Sequence, residues 1–208
     1  MISTKVVSFD AEGTLVTPRL SQVIWHEAIP ALFAKRWELG IDRAKEQVFA
    51  AYDEVGEHRI EWYDIKYWFK RFDLDDYEGL LSSYRHEISY YEEALEVVAQ
   101  VGDKYDVIVI SNSAREFLDP LLETMQGHFK NIFCTLSDFH ILKCPELYLN
   151  ICGLLRIDPE EMVHVGDSWE FDYDIPMKAG VRAVLLDRQG IREGDSIITD
   201  LRQLARML

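Results

Sequence analysis

The sequence predicts an α/β protein: a doubly wound parallel-sheet core carrying an inserted all-helical cap. Three observations lead there. Short runs rich in valine and isoleucine alternate with stretches of helical apolar spacing, as in sheets covered by helices on both faces. One long stretch, residues 17–88, breaks the alternation and reads as helical throughout. Finally, several runs end in acids, hydroxyls or amides, at the strand ends where open parallel sheets bind ligands.

In chain order, the first run is Val6–Phe9, continuous enough for a strand buried on both faces. The insert follows. Pro30 either kinks its first helix or sits in that helix's opening turn. Ala44, Val48, Ala51, Tyr52 and Val55 recur at 4, 3, 1 and 3 residues, and Tyr77, Leu80, Leu81, Tyr84 and Ile88 at 3, 1, 3 and 4. Each set is one face of an amphipathic helix. The sheet resumes near residue 105 with the runs Val107–Ile110, Asn131–Cys134, Met162–Val165, Ala183–Leu186 and the shorter Ser196–Thr199. Between them Phe117, Leu118, Leu121, Leu122 and Met125, and then Leu147, Ile151, Leu154 and Leu155, keep helical spacing. The closing "ITDLRQLARML" reads as an amphipathic helix. This divides the chain into a Rossmann-like core, residues 1–16 and 89–208, and a cap, residues 17–88.

Composition narrows the partners. Hydrophobic residues make up 48% of the 208, enough for a core. Asp and Glu number 37 against 22 Lys and Arg, for a formal net charge of −15. Such a surface repels nucleic acid and anionic membranes, so neither is an expected partner. No apolar run is long enough to span a bilayer and no signal peptide is read at the start. The three cysteines have no motif spacing, which suits a reducing compartment, and a cytoplasmic location is the expectation. Cys134, His140, Cys144 and Cys152 are spaced 6, 4 and 8 apart, which fits no zinc pattern.

The acids at the strand ends carry the chemistry. Asp10 closes the first run and Glu12 follows two residues on, returning to the same face of an extended chain. The run at Val107 ends in Ser111-Asn112-Ser113, and that at Met162 in Gly166-Asp167-Ser168, with Asp172 and Asp174 beyond. A single acid there could be a helix cap. Several in one crevice repel one another unless a cation lies among them, and an all-oxygen set points to a hard metal, most simply Mg²⁺.

The motifs resemble those of the haloacid dehalogenase superfamily of hydrolases, in the family's order. "SFDAEGTLV" resembles the first motif, Asp-x-Asp-Gly-Thr, with Glu12 in place of the second Asp. "VIVISNS" resembles the second, with Ser111; "LKCPELY" the third, with Lys143; "HVGDSWEFDYDIPMKAG" the fourth, with Asp167 and Asp172. Helical caps inserted after the first motif also belong to this superfamily. The resemblance implies a phosphatase-type enzyme acting on a small phosphorylated metabolite. Asp10 is then the nucleophile, since a carboxylate needs no deprotonation and attack on phosphorus gives an aspartyl-phosphate. Glu12 is the acid and base for leaving group and water; the same Asp-x-Glu-Gly-Thr variant marks enolase-phosphatase-like members. The resemblance further implies Mg²⁺ held by Asp10, the backbone carbonyl of Glu12, Asp167 and Asp172, and phosphate oxygens held by Ser111, Asn112 and Lys143. Lys143 falls one residue late for the family's Lys-Pro-x-Pro spacing; its long side chain can absorb the shift, the alternative being a surface lysine.

Alternative readings stay within reach. A dehalogenase of the same fold needs no Mg²⁺, which the acids at 167 and 172 argue against. A phosphoglucomutase-like enzyme shares nucleophile and metal, and a non-catalytic phosphate-sensing or partner-binding module would tolerate Glu12. The aromatics Trp62, Tyr63, Tyr67, Trp68, Phe69 and Phe72 read mostly as core of the cap, with some facing the site. Trp25 and His26 are candidate substrate contacts, and Trp169 a residue of the crevice rim.

Overall fold

The computed structural model describes residues 3–208. Its centre is a six-stranded sheet in the order β3-β2-β1-β4-β5-β6, with every neighbouring pair parallel. The strands are β1 (Val6–Phe9), β2 (Asp106–Ser111), β3 (Asn131–Cys134), β4 (Met162–Gly166), β5 (Arg182–Leu186) and β6 (Ile197–Ile198). Each grows from one of the apolar runs read in the sequence. β1 lies in the middle with all four residues buried, Val7 paired to Val107 on one side and Val163 on the other. The chain winds outward in one direction from β1 to β3 and in the other from β4 to β6, so the crevice opens where β1, β2 and β4 end.

Alternation along the strands divides the core into two layers. Val6, Ile108 and Ile110 pack against Leu147, Tyr148 and Ile151 of the helix Pro145–Leu155. Val7, Phe9, Val107 and Val109 turn the other way, toward Val97 and Val98 of the helix Ala94–Gly102 and Phe117, Leu118 and Leu121 of the helix Arg115–Leu122. Leu154, although in helical register, is 59% exposed.

Every regular element between β1 and the helix Ala94–Gly102 is helical. The cap comprises α1 (Arg19–Val23), a π-helical turn Ile24–Ala28, α2 (Ile29–Arg36), α3 (Ile41–Val55), a 3₁₀ turn Ile60–Tyr63, α4 (Ile65–Phe72) and α5 (Tyr77–Ser83). Pro30 stands in the first turn of α2, directly after the π turn, so its missing N–H falls where the hydrogen-bond ladder already changes register. Asp64 and Asp76 cap α4 and α5, accepting from the backbone N–H groups of Lys66 and Gly79. The cap's own core is aromatic: Trp68, Phe69 and Phe72 are buried, and Tyr52 meets Trp68 edge-on at 4.6 Å. The two connections to the sheet run side by side, the backbone N–H of Thr17 donating to the carbonyl of Ser89 at 2.9 Å and Val16 bridging Tyr90.

Two sequence expectations are corrected. The helix through Tyr84 and Ile88 stops at Ser83, where the Ser83 hydroxyl donates back to the Gly79 carbonyl at 2.8 Å and competes with the helical ladder. The C-terminal amphipathic helix is a 3₁₀ stretch, Leu201–Arg206. It buries Leu201 and Leu204, a pair that eclipses when three residues make a turn. Among the described residues, no helix is long and apolar enough to cross a membrane.

Candidate active site

The crevice is assembled from four strand ends. Asp10, one residue past β1, is 8% exposed and donates its backbone N–H to the carbonyl of Val165 on β4, at 2.8 Å. The chain then turns through Gly13, at φ +83°, where a Cβ would lie 2.2 Å from Oδ2 of Asp167. Only glycine serves there, for the backbone conformation and for the approach of Asp167. Gly166 at the end of β4 plays a similar part. A Cβ would sit 2.3 Å from Cγ of Asp172, which the π turn Trp169–Asp174 folds back over the strand end. The Ser168 backbone N–H donates to Asp172 Oδ2 at 2.9 Å.

Lys143 joins these parts. It is 3% exposed, so the surface-lysine alternative is overturned. Its Nζ donates to Asp10 Oδ1 at 2.6 Å and to Asp172 Oδ1 at 2.5 Å. Its backbone N–H donates to Asn112 Oδ1, 2.9 Å away, which also accepts from the Thr135 hydroxyl at 2.8 Å. The Asn112 side chain thereby ties the ends of β2 and β3 to the segment that delivers Lys143. The buried Ser111 hydroxyl lines the same cavity as Asp10 and accepts from the Ser113 backbone N–H at 3.4 Å.

The charges are strongly coupled. Burial works to strip the Lys143 proton, but Asp10 and Asp172 hold it and raise its pKa. Burial likewise disfavours charge on Asp172; Lys143 and then His164 outweigh it and keep that carboxyl ionised. Asp10 goes the other way, pushed up by burial and by Asp172 against the pull of Lys143. Asp167 opens onto the cleft, its pKa raised by desolvation between the walls and then by Asp10 and Asp172. Glu12 is pushed up to about 7, by burial against a hydrogen bond from Ser21 and with a smaller push from Asp10.

Glu12 and Asp10 therefore flank the same opening, but Glu12 turns its carboxylate toward the cap, where the Ser21 hydroxyl of α1 donates to Oε2 at 2.7 Å. The extra methylene relative to Asp is taken up by this reach. Asp10, Asp167 and Asp172 each present a carboxylate oxygen, all within 4.8 Å of one another. With one ammonium among three carboxylates, and with hard oxygen donors throughout, the set fits a divalent cation such as Mg²⁺. The four residues considered for zinc are scattered: Cys134 packs with one layer of the core and Cys152 with the other.

Two features lay outside the sequence reading. His164 on β4, fully buried, spans Asp172 and Ser8, its Nε2 3.2 Å from Asp172 Oδ1 and its Nδ1 2.5 Å from Ser8 Oγ. Arg188, past β5, donates to the carbonyls of Gly13 at 3.3 Å and Thr14 at 2.9 Å and to Glu93 at 2.7 Å, and lies 3.4 Å over the Tyr91 ring. It braces both chain connections to the cap. Tyr63, read in the sequence among the aromatics of the cap, lines the same cavity as Asn112 and Asp10, its hydroxyl pushed up to about 12 by burial. The conjunction "HVGD" was the only sequence signal pointing at His164.

Among curated proteins no match is found. Solved structures similar across nearly the whole chain include a phosphatase of the HAD group from Thermococcus onnurineus, with a TM-score of 0.88 at 24% identity, covering 98% of this chain and 97% of that one. A 2-haloacid dehalogenase from Pseudomonas syringae has a TM-score of 0.68 at 20% identity, with 98% and 97% covered. A HAD hydrolase from Bacillus subtilis, bound to magnesium and described as revealing interdomain movement, has a TM-score of 0.68 at 16% identity, with 99% of both chains covered. At these identities the likeness carries the fold, and it spans both phosphatases and dehalogenases. The family model for haloacid dehalogenase-like hydrolases matches residues 4–180, which takes in β1, the cap, Lys143 and the acids of β4, and the chain belongs to that family of hydrolases.

Proposed function

We propose that the protein is a Mg²⁺-dependent phosphatase that hydrolyses a small phosphorylated metabolite through an aspartyl-phosphate on Asp10. One observation carries the choice over dehalogenation: three carboxylates converge within 4.8 Å with one buried lysine among them. That surplus of negative charge is a reason for a divalent cation, which displacement of halide from carbon does not need.

Asp10, Asp167, Asp172 and the backbone carbonyl of Glu12 would hold Mg²⁺, which would offset the charge of these acids and of the phosphoryl group when bound. Lys143, the Ser111 hydroxyl and the Asn112 backbone take the phosphoryl oxygens and stabilise charge spread over them in transfer. An Asp10 carboxylate oxygen attacks phosphorus as the bond to the leaving oxygen breaks. Glu12 gives that oxygen a proton. Glu12 then takes a proton from water as the water attacks the aspartyl-phosphate, freeing inorganic phosphate and Asp10. A carboxyl pushed up to about 7 suits a group that must give and regain a proton near neutrality.

Phosphate release with Mg²⁺ is the test. Excess chelator is expected to silence release from phosphomonoesters, and added Mg²⁺ to restore it. Full activity in chelator would support the metal-free alternative instead.

The cap is also expected to move. It joins the core by two adjacent connections, about Thr17–Arg19 and Ser89–Glu92, which make the hinge. The Ser21–Glu12 hydrogen bond, the exposed ion pairs Lys66–Glu116 and Arg85–Glu123, and the Trp25–Phe117 stack at 5.6 Å span the divide. Exposed pairs add little to hold it shut, and attack on phosphorus requires bulk water excluded while substrate entry requires the opposite. Solution scattering should show a more compact particle with Mg²⁺ and a phosphate mimic than without. One unchanged cap–core relation in every state would contradict a lid.

A further inference from the structure

We infer that the leaving group of the substrate carries an aromatic or similarly broad, flat apolar body, seated against the cap; this rests on the phosphatase reading and narrows its substrate class. The phosphoryl pole uses only one end of the cleft. The cavity has a volume of about 1140 Å³, whereas pockets for drug-sized ligands run to roughly 300–1,000 Å³, so a phosphoryl group with a two-carbon tail would leave most of it filled by water.

What fills the rest of the wall is aromatic. The aromatic residues of the cap fall into two sets. Trp68, Phe69 and Phe72 are buried and close the cap's own core. Trp25, Phe49, Trp62 and Tyr63 are half-buried and line the cleft, with Tyr52 behind them and Phe117 facing them from the core. Trp25, Phe49, Tyr52, Trp62 and Phe117 form one connected surface, and Tyr63 lines the cleft beside Trp62, its neighbour in the chain. Trp25 stacks on Phe117 at 5.6 Å and 21° and meets Tyr52 at 6.0 Å; Tyr52 meets Phe49 at 6.2 Å and Trp62 at 6.1 Å. The buried Trp68, edge-on to Tyr52 at 4.6 Å, fixes the wall from behind.

A rigid, half-wetted aromatic wall is unfavourable without something apolar to cover it. Its position selects the occupant. Tyr63 and Trp62 line the same cavity as Asp10, Ser111 and Asn112, so a group bonded through oxygen to a phosphoryl at Asp10 has the wall within the same cleft. Rings offset or edge-on to these would add ring–ring attraction to the burial of area.

The test compares 2-phenylethyl phosphate with ethyl phosphate, two monoesters whose leaving alcohols are of similar acidity, so that intrinsic reactivity does not set the ratio. With Mg²⁺ the wild type is expected to favour the aryl substrate in kcat/KM by roughly ten- to a hundredfold, the scale of burying an aromatic side chain. Trp62→Ala and Tyr63→Leu are expected to bring that ratio toward one. The ratio is read within each variant, so partial loss of folded protein lowers both rates alike and leaves it unchanged. Phosphate release from both substrates with no aryl preference in the wild type, or a preference that survives both substitutions, overturns the inference while leaving the phosphatase reading intact. Release from neither substrate, nor from a wider set of monoesters, overturns the phosphatase reading itself.

Discussion

Asp10→Asn is expected to lower turnover by roughly 10⁴-fold or more, the scale seen when a covalent nucleophile is removed, while the folded protein keeps its stability. Both halves follow from the site. The amide cannot attack phosphorus, and no other carboxylate takes its position: Asp172 is held by Lys143, by His164 and by the Ser168 backbone, and Asp167 lies beyond Gly13. The fold survives because Asn retains an oxygen to accept from Lys143, and because burial already works against charge at Asp10. Phosphate release and thermal unfolding measured on one preparation check both statements. Residual activity within tenfold of the wild type would remove Asp10 from the role of nucleophile.

Lys143→Met should be the more damaging change to the molecule. Methionine matches much of the lysine volume but leaves Asp10 and Asp172 facing each other in a buried site with no ammonium between them. Breaking a buried ion pair from one side costs about 3–5 kcal/mol, and here two carboxylates lose their partner together. Urea unfolding should report a loss of that order in chelator, with part of it regained in Mg²⁺. Activity should also fall, by roughly 10²–10³-fold for the loss of one charge-stabilising donor. A variant as stable as the wild type in chelator would mean that the two acids are neutralised by something other than Lys143.

The parts of this arrangement that are local in the chain were legible in the sequence. Continuous apolar runs announce buried parallel strands because both faces are covered, so Val6–Phe9, Asn131–Cys134 and Met162–Gly166 came through with little change. Period marked the cap helices as well, but over only six residues three and 3.6 residues per turn are hard to separate, and Leu201–Arg206 is a 3₁₀ stretch. Side-chain reach was less legible. Lys143 stood out by type and motif while its spacing spoke against it; only the fold brings Nζ between Asp10 and Asp172. The Glu12–Ser21 bond crosses from core to cap, and Arg188 and His164 act on residues more than 150 positions away, Thr14 and Ser8. Contacts of that kind depend on which strands become neighbours, and no window of sequence contains them.

The central claim is covalent transfer of a phosphoryl group to Asp10. It is met most directly by quenching the enzyme with acid during turnover of an aryl monoester in Mg²⁺ and locating the modification by peptide mass. The expected result is one phosphoryl group on Asp10, formed only while substrate and Mg²⁺ are both present, and missing from Asp10→Asn. A phosphoryl group on any other residue, or undiminished phosphate release by Asp10→Asn, would contradict it.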